Sequence, residues 1–139
     1  MIRAAILKDS KELFTLESSV FLKDDFGLSL SSFYYHIKNN NLFLYEKDKK
    51  IIAYILWLKR KNYYRLYSLC VDKNNQGQGI AQKLLNHSLD ILPFSKYTLE
   101  VKTTNEQAIK LYEKNGFKIS KTLQNYYPNN IDGYLMIKG

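Results

Sequence analysis

Residues Gln76-Gly77-Gln78-Gly79-Ile80-Ala81 form a glycine-rich turn between a run that reads as strand, Tyr63 to Val71, and one that reads as helix, Ala81 to Ile91. A turn that opens a helix gathers backbone N–H groups lacking intrahelical acceptors at the positive end of the helix dipole. That is a receptor for an anion such as phosphate. Glycine also lets the backbone approach a bulky anion where a Cβ would collide. The spacing argues against two nucleotide loops. A Walker A loop ends in Gly-Lys-Ser/Thr, whereas Gly79 is followed by Ile80 and Ala81, and a dinucleotide fingerprint needs a third glycine where Gln82 stands. On this segment alone, a cradle for some other phosphate ligand and an ordinary tight turn both remain open.

Few other side chains suggest chemistry on their own. His36 and His87 are isolated in helical segments with no ligand-like partners, so no metal site is expected. Cys70 is the single cysteine and cannot form an internal disulfide, which points to a reducing compartment. It lies in an apolar strand, where a packed thiol is the simpler reading than a nucleophile.

At 139 residues the chain is expected to form one domain, 1–139, with a core that needs no metal or disulfide. Charged residues come too early at the N-terminus for a signal peptide, and the apolar run Ile51 to Leu58 is far short of a membrane span. A soluble cytoplasmic protein with no membrane association is the expectation. The net charge of +8 would attract any polyanion. Its lysines are scattered, however, and the two clusters, Lys47/Lys49/Lys50 and Lys59-Arg60-Lys61, fall at hairpin turns. Only three arginines occur, the residue preferred for bidentate phosphate contact. Dedicated nucleic-acid binding is therefore not expected.

The elements that must position the glycine turn follow from periodicity. Residues 2–7 read as strand. Asp9-Ser10-Lys11-Glu12 resembles a capping box, after which Leu13, Leu16, Glu17 and Val20 carry a helical period to about Phe21. Ser29 or Ser31 caps a second helix that ends near Asn39-Asn40-Asn41. Leu42 to Glu46 and Ile51 to Lys59 flank a polar turn as a hairpin, and Tyr63 to Val71 extends the antiparallel sheet. After the helix to Ile91 come a strand at Tyr97 to Val101 and a helix from Glu106 to Asn115, capped by Asn105 and closed by Gly116. Phe117 to Ser120 and Tyr134 to Lys138 read as the last strands, separated by a long polar excursion. The order is βααβββαβαββ, an α+β layout.

The turn matches Gln/Arg-x-x-Gly-x-Gly/Ala, and so resembles the pyrophosphate loop of the GNAT superfamily of acetyl-CoA-dependent N-acetyltransferases. A second segment is similar to that family's other signature: Leu99-Glu100-Val101, Asn105, Ala108-Ile109, Leu111-Tyr112-Glu113 and Asn115-Gly116-Phe117. Asn125-Tyr126-Tyr127-Pro128 with Asp132-Gly133 looks like the C-terminal loop of the ribosomal-protein-alanine N-acetyltransferases and their protein N-terminal relatives. The resemblance covers the last half of the chain by residues and the first half by layout. One departure stands out: relatives in that branch carry Phe-Pro between the first two helices, whereas Phe21-Leu22-Lys23-Asp24-Asp25-Phe26 keeps the phenylalanine without the proline.

The resemblance implies a GNAT fold: a mixed, mostly antiparallel twisted sheet flanked by helices, with a splayed central strand pair. It implies acetyl-CoA as co-substrate, held by the main chain of Leu69, Cys70 and Val71, by the amides from Gln76 to Ala81 and by Asn105. Glu100 would act as general base on the acceptor ammonium, directly or through water, because the attacking amine must be neutral. The bland alternative is a salt-bridged or solvated strand glutamate. Tyr112 would protonate the departing thiolate, its reference pKa of about 10 keeping the phenol protonated at neutral pH; the alternative is a buried aromatic. Phe21, Tyr126 and Tyr127 would line the acceptor channel. Transfer would be direct, with the oxyanion held by a backbone N–H such as that of Val71. The implied acceptor is the N-terminus of a protein such as a ribosomal protein. A small amine (polyamine, amino sugar or amino acid) is the alternative acceptor, and a non-catalytic acyl-CoA-binding module a further one. A monomer or weak dimer is expected.

Overall fold

The apolar run from Ile51 to Leu58 is buried on both faces, as the centre of a sheet covered on two sides must be. In the computed structural model, which describes residues 1–21, 27–93 and 96–139, it lies within a seven-stranded sheet. The strands are β1 (Ile2–Ala4), β2 (Asn41–Lys47), β3 (Lys50–Lys59), β4 (Tyr64–Val71), β5 (Tyr97–Lys102), β6 (Lys118–Tyr127) and β7 (Ile131–Lys138). The helices are α1 (Ser10–Val20), α2 (Leu30–Asn39), α3 (Ile80–Ile91) and α4 (Glu106–Lys114). The spatial order is β1-β2-β3-β4-β5-β7-β6. Every pairing is antiparallel except β4–β5, which α3 joins by a crossover. The expected element order and GNAT-type layout are both found.

Two cores follow from the alternation of side chains along β3. Ile52, Ile55 and Trp57 pack with Ile80, Leu84 and Leu85 of α3 and Tyr112 of α4. Ile51, Tyr54, Leu56 and Leu58 pack with Leu13 and Leu16 of α1 and Phe33 of α2. The sheet thus separates an α1/α2 face from an α3/α4 face.

The feature that matters most for the site is where β4 and β5 stop pairing. Their register runs Tyr64↔Tyr97, Arg65↔Thr98 and Leu66↔Leu99, and no further, although both strands continue. At the same point β4 carries a bulge against β3: Leu56 pairs Ser68 while Trp57 pairs Leu66, so Tyr67 is the extra residue. A bulge shifts the alternation of its strand and bends it. Leu66, Leu69 and Val71 therefore share the α3/α4 face, whereas Cys70 is buried in the α1/α2 core. The expected splay is present, and the bulge marks its start.

Three local expectations are corrected. The first strand ends at Ala4 rather than residue 7, because the Asp9 carboxylate turns the chain by accepting from Ile6 N–H (2.8 Å) and from Arg3 (2.9 Å). With its carboxylate so engaged, Asp9 makes no side-chain cap on α1, and the capping-box reading fails. The polar excursion after Ser120 is strand: β6 runs ten residues and is joined to β7 by a short turn at Pro128–Asn130. Being an edge strand with most of its residues exposed, β6 lacks the apolar alternation that marks a covered strand. Other boundaries hold: Ser29 caps α2 through Ser32 N–H (3.1 Å), Asn105 Oδ1 caps α4 through Ala108 N–H (3.3 Å), and Gly116 closes α4 at φ 93°.

Candidate active site

The glycine turn is built by backbone conformation. Gly77 and Gly79 have φ of 79° and 77°, the left-handed region that disfavours a Cβ. Beyond its chain neighbours a Cβ on either would meet nothing within 4 Å, so the positive φ and not a lack of space calls for glycine here. Gly79 occupies the N-cap of α3 without any side-chain cap, which leaves the first amides of the helix for another acceptor. Gln76 ties the turn back to the sheet, its Nε2 donating to Val71 O at 3.0 Å.

The end of β4 adds main-chain groups. Asp72 N–H bonds Ile52 O (2.8 Å), which makes 72/52, and by alternation 70/54, the hydrogen-bonded pairs of the β3–β4 ladder. Leu69 and Val71 are then the intervening positions, whose N–H and C=O point away from β3 into the gap left by β5. The same alternation removes Cys70 from the predicted set. Its main chain faces β3, and its thiol is buried on the opposite face, where burial pushes its pKa up to about 12. A thiol in that state is no nucleophile.

These groups border a cleft of about 490 Å³ on the α3/α4 side. Of the predicted coenzyme residues, Leu69, Val71, Gln76, Gly77, Gly79, Ile80, Ala81 and Asn105 line it; Gln78, exposed on the turn, and Cys70 do not. Lys110 and Lys114 of α4 also line it, adding positive charge that the sequence reading left unassigned. A reciprocal amide pair clasps the two helices: Gln82 Nε2 donates to Asn115 Oδ1 (2.7 Å) and Asn115 Nδ2 to Gln82 Oε1 (3.0 Å). Tyr112 lines the same cleft at only 8 % exposure, edge-on to Phe117. Burial raises its hydroxyl to about 12, so it is a protonated donor near neutral pH.

A second cavity, about 370 Å³, is lined by Glu100 and Phe21 together with Tyr126 and Tyr127. Its remaining lining comes from α1 (Glu17) and from β4, including Arg65, Tyr67, Ser68 and Leu69. Glu100 faces it because Leu99 and Val101 are buried in the α3/α4 core and side chains alternate. Its Oε1 accepts from the Arg65 guanidinium and from Tyr126 OH at 3.1 Å. The two tyrosines meet edge-on at 5.0 Å, and burial raises both hydroxyl pKa values. They stand near the end of β6 rather than in a loop. Gly133 makes room for them, since a Cβ there would lie 2.9 Å from the Tyr127 ring.

The two cavities share Phe21 and Leu69 and contain Tyr112 and Glu100 respectively. Every predicted acceptor residue is thus brought together, although Leu22 to Phe26, where the Phe-Pro departure falls, lie outside the described residues. Arg65 went unforeseen because its pairing with Glu100 depends on strand register. Glu17 did leave a signal: a carboxylate on an otherwise apolar helical stripe.

A family model described as an acetyltransferase (GNAT) domain matches residues 38–119, from the end of α2 into β6. An uncharacterized N-acetyltransferase of Methanocaldococcus jannaschii is 30 % identical over 142 residues, spanning 99 % of this chain and 90 % of its own. The chain belongs to the GNAT acetyltransferase family. It is an acetyl-CoA-dependent N-acetyltransferase. The crystal structure of the ribosomal-protein-S18-alanine N-acetyltransferase from Escherichia coli superposes with a TM-score of 0.91 at 26 % identity, over 99 % of this chain and 92 % of that one. In sequence, the E. coli enzyme is 39 % identical over 66 residues, 45 % of each chain. Arabidopsis thaliana Naa50, solved with the bisubstrate analogue CoA-Ac-MVNAL, has a TM-score of 0.85 at 26 % identity, over 100 % of this chain and 97 % of that one.

Proposed function

We propose that this GNAT enzyme moves the acetyl group of acetyl-CoA directly to the N-terminal α-amine of a protein, a ribosomal protein being the leading candidate. The observation that carries this reading is the pair of cavities on opposite sides of the β4–β5 splay, meeting at Phe21 and Leu69. The coenzyme would lie along the α3/α4 side, its pyrophosphate on the amides from Gln76 to Ala81 and its pantetheine arm against the outward main chain of Leu69 and Val71. The acceptor would enter from the α1/α2 side past Tyr126 and Tyr127. Phe21 at the junction would exclude water from the thioester.

In this mechanism Glu100 removes a proton from the acceptor ammonium, directly or through one water, with Arg65 and Tyr126 fixing its rotamer. The neutral amine attacks the thioester carbon, and the Val71 N–H stabilises the oxyanion. The tetrahedral intermediate expels the thiolate, which takes the Tyr112 proton, while the amide nitrogen loses its surplus proton to solvent and the Tyr112 phenolate regains one from it. The E. coli relative's name and the peptide portion of the Naa50 analogue both favour a peptide acceptor. The test is thiol release from acetyl-CoA against alanine-first peptides and, in parallel, polyamines, amino sugars and free amino acids. Turnover on the peptides is expected; turnover on small amines alone would overturn the acceptor and keep the transfer chemistry.

A further inference from the structure

We propose that Glu17 is the acceptor-binding residue that receives the charged ammonium of the incoming N-terminus, a proposal that rests on the acceptor reading given above. Glu17 lies on α1 one turn before Phe21, and so on the same side of the helix as the residue that joins the two cavities. Only 5 % exposed, it lines the acceptor cavity. A carboxylate that deeply placed is ordinarily paired with a cation, because burial of an unmatched charge is costly. Among the described residues Glu17 has no ionic partner: its carboxyl accepts only from the backbone N–H of Leu28. Arg65, the cation in the lining, is committed to Glu100.

Among the described residues the lining holds two carboxylates against one guanidinium, and the carboxylate with no described cation is Glu17. A cationic group of the acceptor completes it. An α-amino group has a reference pKa of about 7.7–8.0 and arrives mostly protonated at neutral pH, so the species that must first be captured is an ammonium. Glu17 and Glu100 then divide the work: the first binds the charged form, the second takes its proton. Gly27 preserves the arrangement, since a Cβ there would stand 2.9 Å from Glu17 Oε2.

The test separates binding from turnover. The protein saturated with CoA is titrated at pH 6.5 with an alanine-first peptide and with the same peptide carrying propionyl in place of alanine, which lacks only the amine. Wild type should prefer the amine by about tenfold, the scale of one charge-assisted contact. Glu17→Gln keeps an oxygen for Leu28 N–H, so its Tm and CoA Kd should match wild type while the preference disappears. Glu100→Gln should keep the preference. An undiminished preference in Glu17→Gln, or its loss in Glu100→Gln, overturns the assignment, and the second variant decides alone if the first does not fold. Wild type without any preference overturns it too. Whether the peptide is acetylated is read separately, so the acceptor class can fail while the role of Glu17 stands, and the reverse.

Discussion

The cleft proposed for the coenzyme and the cavity proposed for the acceptor share a wall but are made of different material. The cleft is built mainly from backbone: left-handed glycines at 77 and 79, uncapped amides at the start of α3, and the outward main chain of Leu69 and Val71. The acceptor cavity is built from side chains that arrive from α1, β4, β5 and β6, joined by the Arg65–Glu100–Tyr126 network. Backbone receptors serve a ligand that never changes, and a short contiguous motif can specify them. Side-chain receptors can be altered singly, which suits the half of the reaction that chooses the acceptor.

Substitutions should respect that division. The largest effect is expected from Glu100→Gln, which removes the proposed base and should lower kcat by about 10³-fold, within the range for general acid–base groups. Its KM for acetyl-CoA should stay unchanged in steady-state kinetics; a normal kcat would remove Glu100 from the mechanism. Tyr112→Phe keeps the packing against Phe117 and deletes only the proton, so kcat should fall by about 10²-fold without a change in Tm. Unchanged turnover there would leave Tyr112 a packing residue.

Gly79→Ala tests the backbone side. A left-handed alanine costs about 1–2 kcal/mol, and the acetyl-CoA KM should rise about tenfold while the acceptor KM does not. Gly133→Ala is its counterpart: crowding the Tyr127 ring should raise the acceptor KM about threefold, under 1 kcal/mol, and spare acetyl-CoA. If both variants moved both KM values alike, the two halves would not be separable. The smallest expected effect is on Cys70, whose buried neutral thiol should resist Ellman's reagent in the native protein and react only on unfolding. Rapid native reaction would place it at the surface.

Much of this was legible in the chain because the informative patterns are local. The turn from Gln76 to Ala81, the Asn105 cap, the stop at Gly116 and the apolar face of α3 each depend on residues a few positions apart, and each is found. The misreadings have one cause. Asp9 looks like a cap until Arg3 and the Ile6 amide claim its carboxylate, and β6 looks like loop because its exposure is set by its place at the edge. Cys70 sits between two cleft residues in sequence, yet ladder alternation turns its main chain toward β3 and its side chain to the other face.

By itself the sequence determined the order of elements, the glycine turn before α3, and Glu100 on a strand face opposite Leu99 and Val101. Each follows from helix and strand periods acting over short distances. Tertiary structure alone decided that Arg65 meets Glu100, that Glu17 stands buried beside the second cavity with no cation on it among the described residues, and that the Tyr67 bulge turns Leu69 and Val71 toward the α3/α4 cleft. Those relations depend on strand register and on helix placement against a sheet. Both are set by the burial of the whole core, since a one-residue slip would exchange every inward side chain for an outward one.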